Sequence, residues 1–214
     1  MIKAVIFDLD GVIVDTAHYH FVAWQRLANE LGITFTEKEN ERLKGVSRMH
    51  SLEIILEIGG VVLSEAKKEE LATKKNGWFV EYIEAIRPEE IFKGVKQMLI
   101  SLREKGFKVA LASSSKNAET VLRLLEIKGL FDTVVDGTMI IKSKPDPEIF
   151  LSAASKVGVN PSECVVFEDA EAGVEAALAA GMKCVGVGSV DQLGKAHAIV
   201  KTTADFPIDK LNML

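Results

Sequence analysis

Residues 5–16, VIFDLDGVIVDT, are the stretch that decides the fold. An apolar run ends at Phe7, two carboxylates follow at Asp8 and Asp10, and Gly11 comes directly after them. Burying an unpaired carboxylate is costly in free energy, and two like charges at this spacing also repel each other. We therefore expect a cation, or a chemical role, for these two acids at the end of a buried strand.

Other short apolar runs along the chain resemble this first one. Each is too short for a helix and lacks period-two alternation, which is typical of a strand buried on both faces of a parallel sheet. The five predicted strands are residues 4–7, 109–112, 133–135, 164–167 and 184–187. Amphipathic stretches predict helices at residues 94–105, 117–127, 147–157 and 171–181. Strands that alternate with helices in this way predict an α/β fold.

The alternation is interrupted between residues 16 and 87, where the pattern is helical throughout. Thr16 is a candidate N-cap, and Gly32, Gly59-Gly60 and Pro88 divide the segment into three or four predicted helices. We predict a helical cap domain, residues 16–87, inserted into an α/β core of residues 1–15 and 88–214. A chain of 214 residues has room for one such core and a smaller insert.

Composition and charge exclude several classes of protein. Hydrophobic residues at 48% and charged residues at 27% are typical of a globular chain, and the net charge of −5 argues against nucleic-acid or anionic-membrane partners. The N-terminal MIKAVIFDLD carries charges within its apolar stretch, so we predict neither a signal peptide nor a membrane span. Cys164 and Cys184 lie in apolar runs and are predicted to be buried hydrophobes. We expect a cytoplasmic monomer.

Polar residues follow four of the predicted strands. In open α/β sheets, ligands bind outside the carboxyl ends of the strands, so these residues are expected to meet at one edge. The groups are Asp8 and Asp10, then Ser113 to Asn117, then Lys142 to Pro145, and finally Glu168-Asp169. Together they offer up to four carboxylates, hydroxyl groups and one or more ammonium groups.

Carboxylates that converge with few basic partners predict a hard cation such as Mg²⁺, which also takes phosphate oxygens and water as ligands. A carboxylate beside Mg²⁺ can attack phosphorus and form an aspartyl phosphate. Lys144, or Lys142 as the other available ammonium group, would offset the charge. A hydroxyl or backbone N–H of Ser113 or Ser114 would hold an equatorial phosphoryl oxygen. The pattern predicts phosphoryl transfer.

Taken in order, these motifs resemble the haloacid dehalogenase superfamily of phosphotransferases. They are DxDG with Thr16 behind it, Ser113, Lys144-Pro145 and Glu168-Asp169. The resemblance implies a Rossmann-like parallel-sheet core with an inserted cap, in which Asp8 is the nucleophile and Asp10 the general acid/base. It also implies one Mg²⁺ per chain, held by Asp8, the backbone carbonyl of Asp10, Glu168 and Asp169.

The acceptor of the phosphoryl group then separates two functions, because water gives hydrolysis and a sugar hydroxyl gives transfer. Preferring the sugar by about 10⁴ to 10⁵ requires about 5.5 to 7 kcal/mol of differential stabilisation. Two or three charge-assisted contacts can supply this. A mutase therefore needs a second phosphate site, and the candidates are Lys44-Gly45-Val46-Ser47-Arg48, Lys75-Asn76 and Ser115-Lys116-Asn117.

Six stretches resemble the β-phosphoglucomutases, which interconvert β-glucose 1-phosphate and glucose 6-phosphate through a bound glucose 1,6-bisphosphate. They are FDLDGVIVDTAHYHFVAW, ERLKGVSR, KKNGWFV, LASSSKNA, KSKPDPEIF and FEDAEAGVEAA. The resemblance implies that Thr16, His20 and Lys44 orient Asp10 and the attacking hydroxyl. It implies phosphosugar binding by Trp24, Gly45, Val46, Ser47, Arg48, Ser51, Lys75, Asn76, Ser114, Ser115, Lys116 and Asn117.

Other interpretations of these residues remain open. A capped sugar-phosphate phosphatase can use the same Asp8 and Asp10 with water as the acceptor, and a phosphosugar-binding regulator can retain the fold without activity. Glu168-Asp169 can simply cap a helix, and Asp8 and Asp10 can form a hydrogen-bonded turn. His20 beside Trp24 is also typical of a packing residue, and Arg48 and Lys75 can be surface charges.

Overall fold

The structure is a computed structural model that describes residues 1–214, and at its centre is a six-stranded sheet. The strands are Ala4–Phe7 (β1), Lys108–Ala112 (β2), Thr133–Val135 (β3), Cys164–Glu168 (β4), Lys183–Val187 (β5) and Ala198–Val200 (β6). All neighbouring strands pair in parallel, in the order β3-β2-β1-β4-β5-β6. The predicted α/β fold is confirmed, and β6 is an edge strand that the sequence pattern does not predict.

Nine α-helices surround the sheet. They are Ala17–Glu30 (α1), Glu37–Asn40 (α2), Arg48–Gly59 (α3), Glu65–Ile83 (α4), Val95–Glu104 (α5), Ala118–Leu124 (α6), Glu148–Val157 (α7), Glu171–Ala179 (α8) and Val190–Leu193 (α9). The first four lie between β1 and β2, in the segment whose sequence pattern is helical. The boundaries of the cap domain, residues 16–87, stay a prediction. None of these helices has the length and apolarity needed to span a bilayer.

The sheet is buried on both faces, as its uninterrupted apolar strands predict. Val5 and Phe7 of β1 belong to a large apolar cluster that also takes in α5, α6 and the helices between β1 and β2. Ala4 and Ile6 point the other way, into a second cluster formed with α7 and α8. Successive side chains of a strand face opposite sides of the sheet, so both faces of β1 are apolar.

The register of the central strands positions the polar residues that follow them. Phe7 is level with Phe167 of β4 on one side and with Leu111 of β2 on the other. The next residues, Asp8 and Glu168, therefore lie side by side at the carboxyl edge. The strand order reverses between β1 and β4, and such a reversal opens the crevice in which α/β proteins bind ligands.

Candidate active site

Asp8, Glu168 and Lys144 form a buried ionic cluster at this crevice. Lys144 Nζ donates to Asp8 Oδ1 at 2.6 Å and to Glu168 Oε2 at 2.8 Å, and the Lys144 side chain has no exposed surface. The two carboxylates raise the pKa of Lys144 against the opposing effect of burial. Lys142 is exposed and lies near Asp146 instead, so Lys144 is the lysine that the fold brings to the acids.

Carboxylate oxygens of Asp8, Glu168 and Asp169 lie within 4.8 Å of one another. Burial and the neighbouring acids raise the pKa of Glu168 to about 7 and raise that of Asp169 well above its usual value. The single positive charge of Lys144 does not neutralise three carboxylates, so a divalent cation suits this site. Glu168 already accepts from Lys144 and from Ala170 N–H, but each carboxylate oxygen has a further lone pair for a cation.

Two glycines allow this cluster to pack so closely. Gly11 has φ +74°, and a Cβ there would meet Asp169 Oδ2 at 2.2 Å. Gly173, in the first turn of α8, would place a Cβ 2.0 Å from Glu168 Cδ. The glycine of DxDG and that of FEDAEAG thus keep space for Glu168 and Asp169 at the carboxyl end of β4.

Gly173→Ala is expected to weaken divalent-cation binding about 10- to 100-fold, because displacing a supporting contact of a ligand typically has this effect. Cation titration followed by thermal unfolding measures it. Gly77→Ala is the matched control, since its Cβ would meet nothing within 4 Å in α4 and alanine favours the helix. Unchanged cation affinity in Gly173→Ala would contradict the assigned role of the close packing.

Asp10 lies in a different environment from Asp8, two residues away. Thr16 is at the N-cap position of α1, but its side chain makes no capping hydrogen bond. Thr16 Oγ1 donates to Asp10 Oδ1 instead. Burial of the Asp10 carboxyl group, and then the charge of Asp8, raise its pKa to about 8. Asp10 therefore carries a proton at neutral pH in the metal-free chain, as a general acid requires.

His20 and Lys75 form a second buried pair on the helical side of the crevice. Lys75 Nζ lies 2.7 Å from His20 Nδ1, while the imidazole stacks on Phe79 with 3.9 Å between ring centroids. Lys75 Nζ also lies 4.6 Å from the centroid of the Trp24 ring. Burial lowers the pKa of both His20 and Lys75, and each is lowered further by a neighbouring cation. His20 and Trp24 of the predicted stripe thus line the cavity at the crevice, whereas Thr16 does not.

A turn before α3 brings basic residues over the strand ends. Gly45 has φ +73°, and Ser47 caps α3 by accepting from His50 N–H at 3.3 Å, so that Arg48 is the first residue of the helix. Arg48 lines the cavity at this crevice. Ser114 Oγ donates across the crevice to the Gly45 carbonyl at 2.8 Å, so this hydroxyl is engaged with the turn.

Residues 113–117 form a self-bonded loop after β2. Ser113 Oγ accepts from Ser115 N–H at 3.2 Å, and Ser115 Oγ accepts from Asn117 N–H at 3.3 Å. The backbone N–H groups of Ser115 and Asn117 are therefore already engaged within the loop. Lys116 is exposed and lines the cavity, while Asn117 immediately precedes α6, which begins one residue later than predicted.

A single cavity gathers most of the predicted site residues. Those that line it are Asp8, Asp10, His20, Trp24, Lys44, Gly45, Val46, Arg48, Ser51, Lys75, Ser114, Ser115, Lys116 and Asp169. Its acidic end is at the strand ends of β1 and β4, and its basic residues come from the turn before α3, from α4 and from the loop after β2.

Seven predicted residues are not part of this lining, and three residues that were not predicted are. Thr16, Ser47, Asn76, Ser113, Asn117, Lys144 and Glu168 are not on the cavity wall, whereas Ala17, Asn40 and Leu43 are. Ala17 and Leu43 adjoin the predicted residues Thr16 and Lys44, so proximity in sequence could have indicated them. Asn40 ends α2 and reaches the cavity only through the folding of the helical segment.

Comparisons with known proteins agree with this geometry. The profile of the haloacid dehalogenase-like hydrolase family matches residues 2–181. A β-phosphoglucomutase of Bacillus subtilis (strain 168) is 46% identical over 212 residues, covering 98% of this chain and 94% of that protein. A phosphorylated carbohydrates phosphatase of Thermotoga maritima is 36% identical over 205 residues, covering 94% and 92%. The crystal structure of a Clostridium difficile β-phosphoglucomutase matches with a TM-score of 0.96 at 43% identity, covering 100% of this chain and 96% of that one.

Proposed function

The chain belongs to the haloacid dehalogenase-like hydrolase family, and we propose that within it the protein is a phosphosugar mutase that interconverts β-D-glucose 1-phosphate and D-glucose 6-phosphate. One observation carries the proposal: a single cavity joins the acidic centre at Asp8 and Asp10 to basic residues that include Arg48 and Lys116. A bisphosphorylated sugar needs a transfer site at one end and an anion site at the other, and this cavity offers both.

Asp8 is the proposed nucleophile. Its carboxylate attacks the phosphorus of glucose 1,6-bisphosphate or of a sugar monophosphate, a P–O bond to Asp8 forms, and the P–O bond to the sugar oxygen breaks. Lys144, at 2.6 Å, offsets charge on Asp8 throughout this transfer. Asp10 gives its proton to the departing sugar oxygen, and in the reverse step it takes a proton from the attacking hydroxyl.

The second half of the reaction requires the other end of the sugar to reach the phosphorylated Asp8. We propose that Arg48, Ser115 and Lys116, which line the cavity, bind the phosphate that is not being transferred, in either orientation of the sugar. Because the helical segment covers the strand ends, the intermediate can turn around only if the cover opens. Hinges at residues 15–16 and 87–88, on the two connections of this segment, fit that movement.

Mg²⁺ is the proposed cofactor, one per chain, and glucose 1,6-bisphosphate the proposed activator and intermediate. Asp8, Glu168 and Asp169 would hold the metal ion, and the Asp10 backbone carbonyl is the further ligand that the sequence predicts. When bound, Mg²⁺ neutralises the carboxylates and the phosphoryl oxygens. This role suits a cluster of three acids that has a single buried lysine as its counterion.

In the metal-free protein, the contribution of Asp10 and Glu168 to stability is expected to fall as pH rises from about 4 to about 8. Their native pKa values of about 8 and about 7 lie above the ordinary values, so at these two groups the native state binds more protons than the unfolded state within this window. The lowered pKa values of His20 and Lys75 act in the opposite sense, while Mg²⁺, which binds the deprotonated acids, stabilises more at higher pH. Urea unfolding of the parent and of Asp10→Asn in EDTA isolates the aspartate; a parent that does not lose stability relative to Asp10→Asn as pH rises would contradict the assignment.

A capped sugar-phosphate phosphatase is the second candidate, and the resemblance to the Thermotoga maritima phosphatase is what favours it. Arg48→Ala separates the two. A mutase should lose isomerisation about 10- to 100-fold and keep slow hydrolysis, because the charge-assisted contact to the second phosphate is gone. A phosphatase without a second phosphate site should hardly change. Glucose 6-phosphate and free phosphate are measured in parallel.

Arg42→Ala is the matched control for Arg48→Ala. Arg42 lies six residues earlier in the chain, pairs with Glu57 at 3.0 Å and is half exposed, so its loss tests the effect of one positive charge outside the main cavity. We expect isomerisation to stay within about twofold of the parent, since exposed ion pairs contribute little. Equal losses in the two variants would remove the argument for a specific phosphate contact.

A further inference from the structure

We infer that Asn76 is a positioning residue that joins the two sides of the proposed distal phosphate site, Arg48 on the helical segment and the loop of Lys116 and Asn117 after β2. Asn76 Oδ1 accepts from Arg48 Nη2 at 2.7 Å and from Asn117 Nδ2 at 2.9 Å. Arg48 begins α3, Asn76 lies on α4, and Asn117 precedes α6 on the sheet side of the crevice. The inference rests on the proposed function, because it concerns how that anion site is assembled.

The chemistry of the donors fixes the orientation of both amides. Arginine has only N–H donors, so the Asn76 atom that contacts Arg48 must be the carbonyl oxygen. The same atom contacts Asn117, so the Asn117 atom that faces it must be the amide nitrogen. Asn76 therefore presents its acceptor oxygen to both neighbours, as a residue that positions the two side chains would.

The position of Asn76 agrees with a supporting role. Arg48 lines the cavity, whereas Asn76 and Asn117 do not. Asn76 takes one of the five N–H donors of Arg48 and leaves the others for an anion, with the guanidinium plane held in place. The sequence predicts that Asn76 contacts the phosphosugar, and the inference gives it a supporting role instead.

The contact also links the anion site to closure of the crevice. Arg48 and Asn76 belong to the helical segment, and Asn117 belongs to the loop after β2, so the Asn76–Asn117 hydrogen bond exists only when the two sides meet. A ligand favours a closed state only by interacting more strongly with it than with the open one. A phosphate bound by Arg48 and Lys116 together has this property, and Asn76 holds Arg48 against the loop that carries Lys116.

A double-mutant cycle tests the inference. Asn76→Ala and Asn117→Ala are each expected to lower kcat/KM for β-glucose 1-phosphate about 10- to 100-fold, and to lower the ratio of isomerisation to hydrolysis. Because the two substitutions break the same contact, the double variant should lose no more than about threefold beyond the worse single variant. Thr73→Ala, an exposed position on the same helix, should leave kcat/KM unchanged.

Acetyl phosphate turnover separates positioning from a general structural defect. This small phosphoryl donor has no second phosphate, so Asn76→Ala should change its turnover by less than about threefold. Multiplicative losses in the double variant, an unchanged kcat/KM in Asn76→Ala, or an equal loss with acetyl phosphate would each overturn the inference. A parent protein that forms no glucose 6-phosphate would overturn the proposed function first, and the inference with it.

Discussion

Asp8→Asn is expected to abolish isomerisation, with a loss of at least about 10⁴-fold, as removal of a covalent nucleophile generally causes. The amide is a poor nucleophile, and it also deprives Lys144 of one of its two carboxylate partners. Neither phosphoryl transfer nor hydrolysis through the enzyme should remain. The measurement is the isomerisation rate together with intact-mass detection of the phosphorylated chain after mixing with glucose 1,6-bisphosphate.

Asp15→Asn is the matched control, because Asp15 is the third aspartate of VIFDLDGVIVDT. It is exposed, and its carboxylate accepts only from His18 N–H at 3.3 Å. We expect a rate within about threefold of the parent, as for most surface substitutions. An Asp8→Asn rate within tenfold of the parent, or a phosphorylated Asp8→Asn chain, would contradict the role given to Asp8.

Lys144→Met should cost both stability and activity. The lysine is buried between Asp8 and Glu168, and removing one partner of a buried ionic group typically destabilises by about 3 to 5 kcal/mol because the other charges stay uncompensated. Activity should fall by about 10³ or more, since the charge that offsets the attacking carboxylate and the phosphoryl group is lost. Urea unfolding of the metal-free protein gives the first effect, and the isomerisation assay gives the second.

Lys142→Met is the control for this variant. Lys142 is exposed, and its one ion pair, to Asp146 Oδ2 at 3.5 Å, is a surface contact. Its removal should therefore change the free energy of unfolding by less than about 0.5 kcal/mol. If the two lysine variants have the same stability, the buried cluster contributes nothing to the fold. If Lys144→Met retains full activity, the lysine has no part in the chemistry.

Five of the six strands could be predicted, and in the four central ones burial on both faces leaves an uninterrupted apolar run in the sequence. The sixth, Ala198–Val200, is a half-buried edge strand of three residues; Thr133–Val135 shares these properties, so they alone do not explain why one was predicted and the other was not. Helix ends differ from the predicted ones by a few residues, as at Ala118–Leu124, where three polar residues precede the helix. The pairing of Phe7 with Phe167 also becomes known only in three dimensions.

The acidic part of the candidate site could be predicted because parallel strands bring their carboxyl ends to one edge. Asp8, Glu168 and Asp169 meet there as the motif order implies. For the helical part of the site, the sequence indicates which residues take part but not how their side chains are arranged. Two contacts depend on how the helical segment lies over the sheet. They are the hydrogen bond from Arg48 to Asn76 Oδ1 and the one from the Ser114 hydroxyl to the Gly45 carbonyl. No local pattern in the sequence encodes that placement.

The most direct test of the central claim is a coupled assay with β-glucose 1-phosphate, Mg²⁺ and a trace of glucose 1,6-bisphosphate. Glucose 6-phosphate dehydrogenase reports the glucose 6-phosphate formed, and free phosphate is measured in the same reaction. We predict that glucose 6-phosphate forms at least about 100-fold faster than free phosphate, since the second phosphate site favours the sugar over water. Free phosphate that appears faster than glucose 6-phosphate would contradict the mutase and leave a phosphatase.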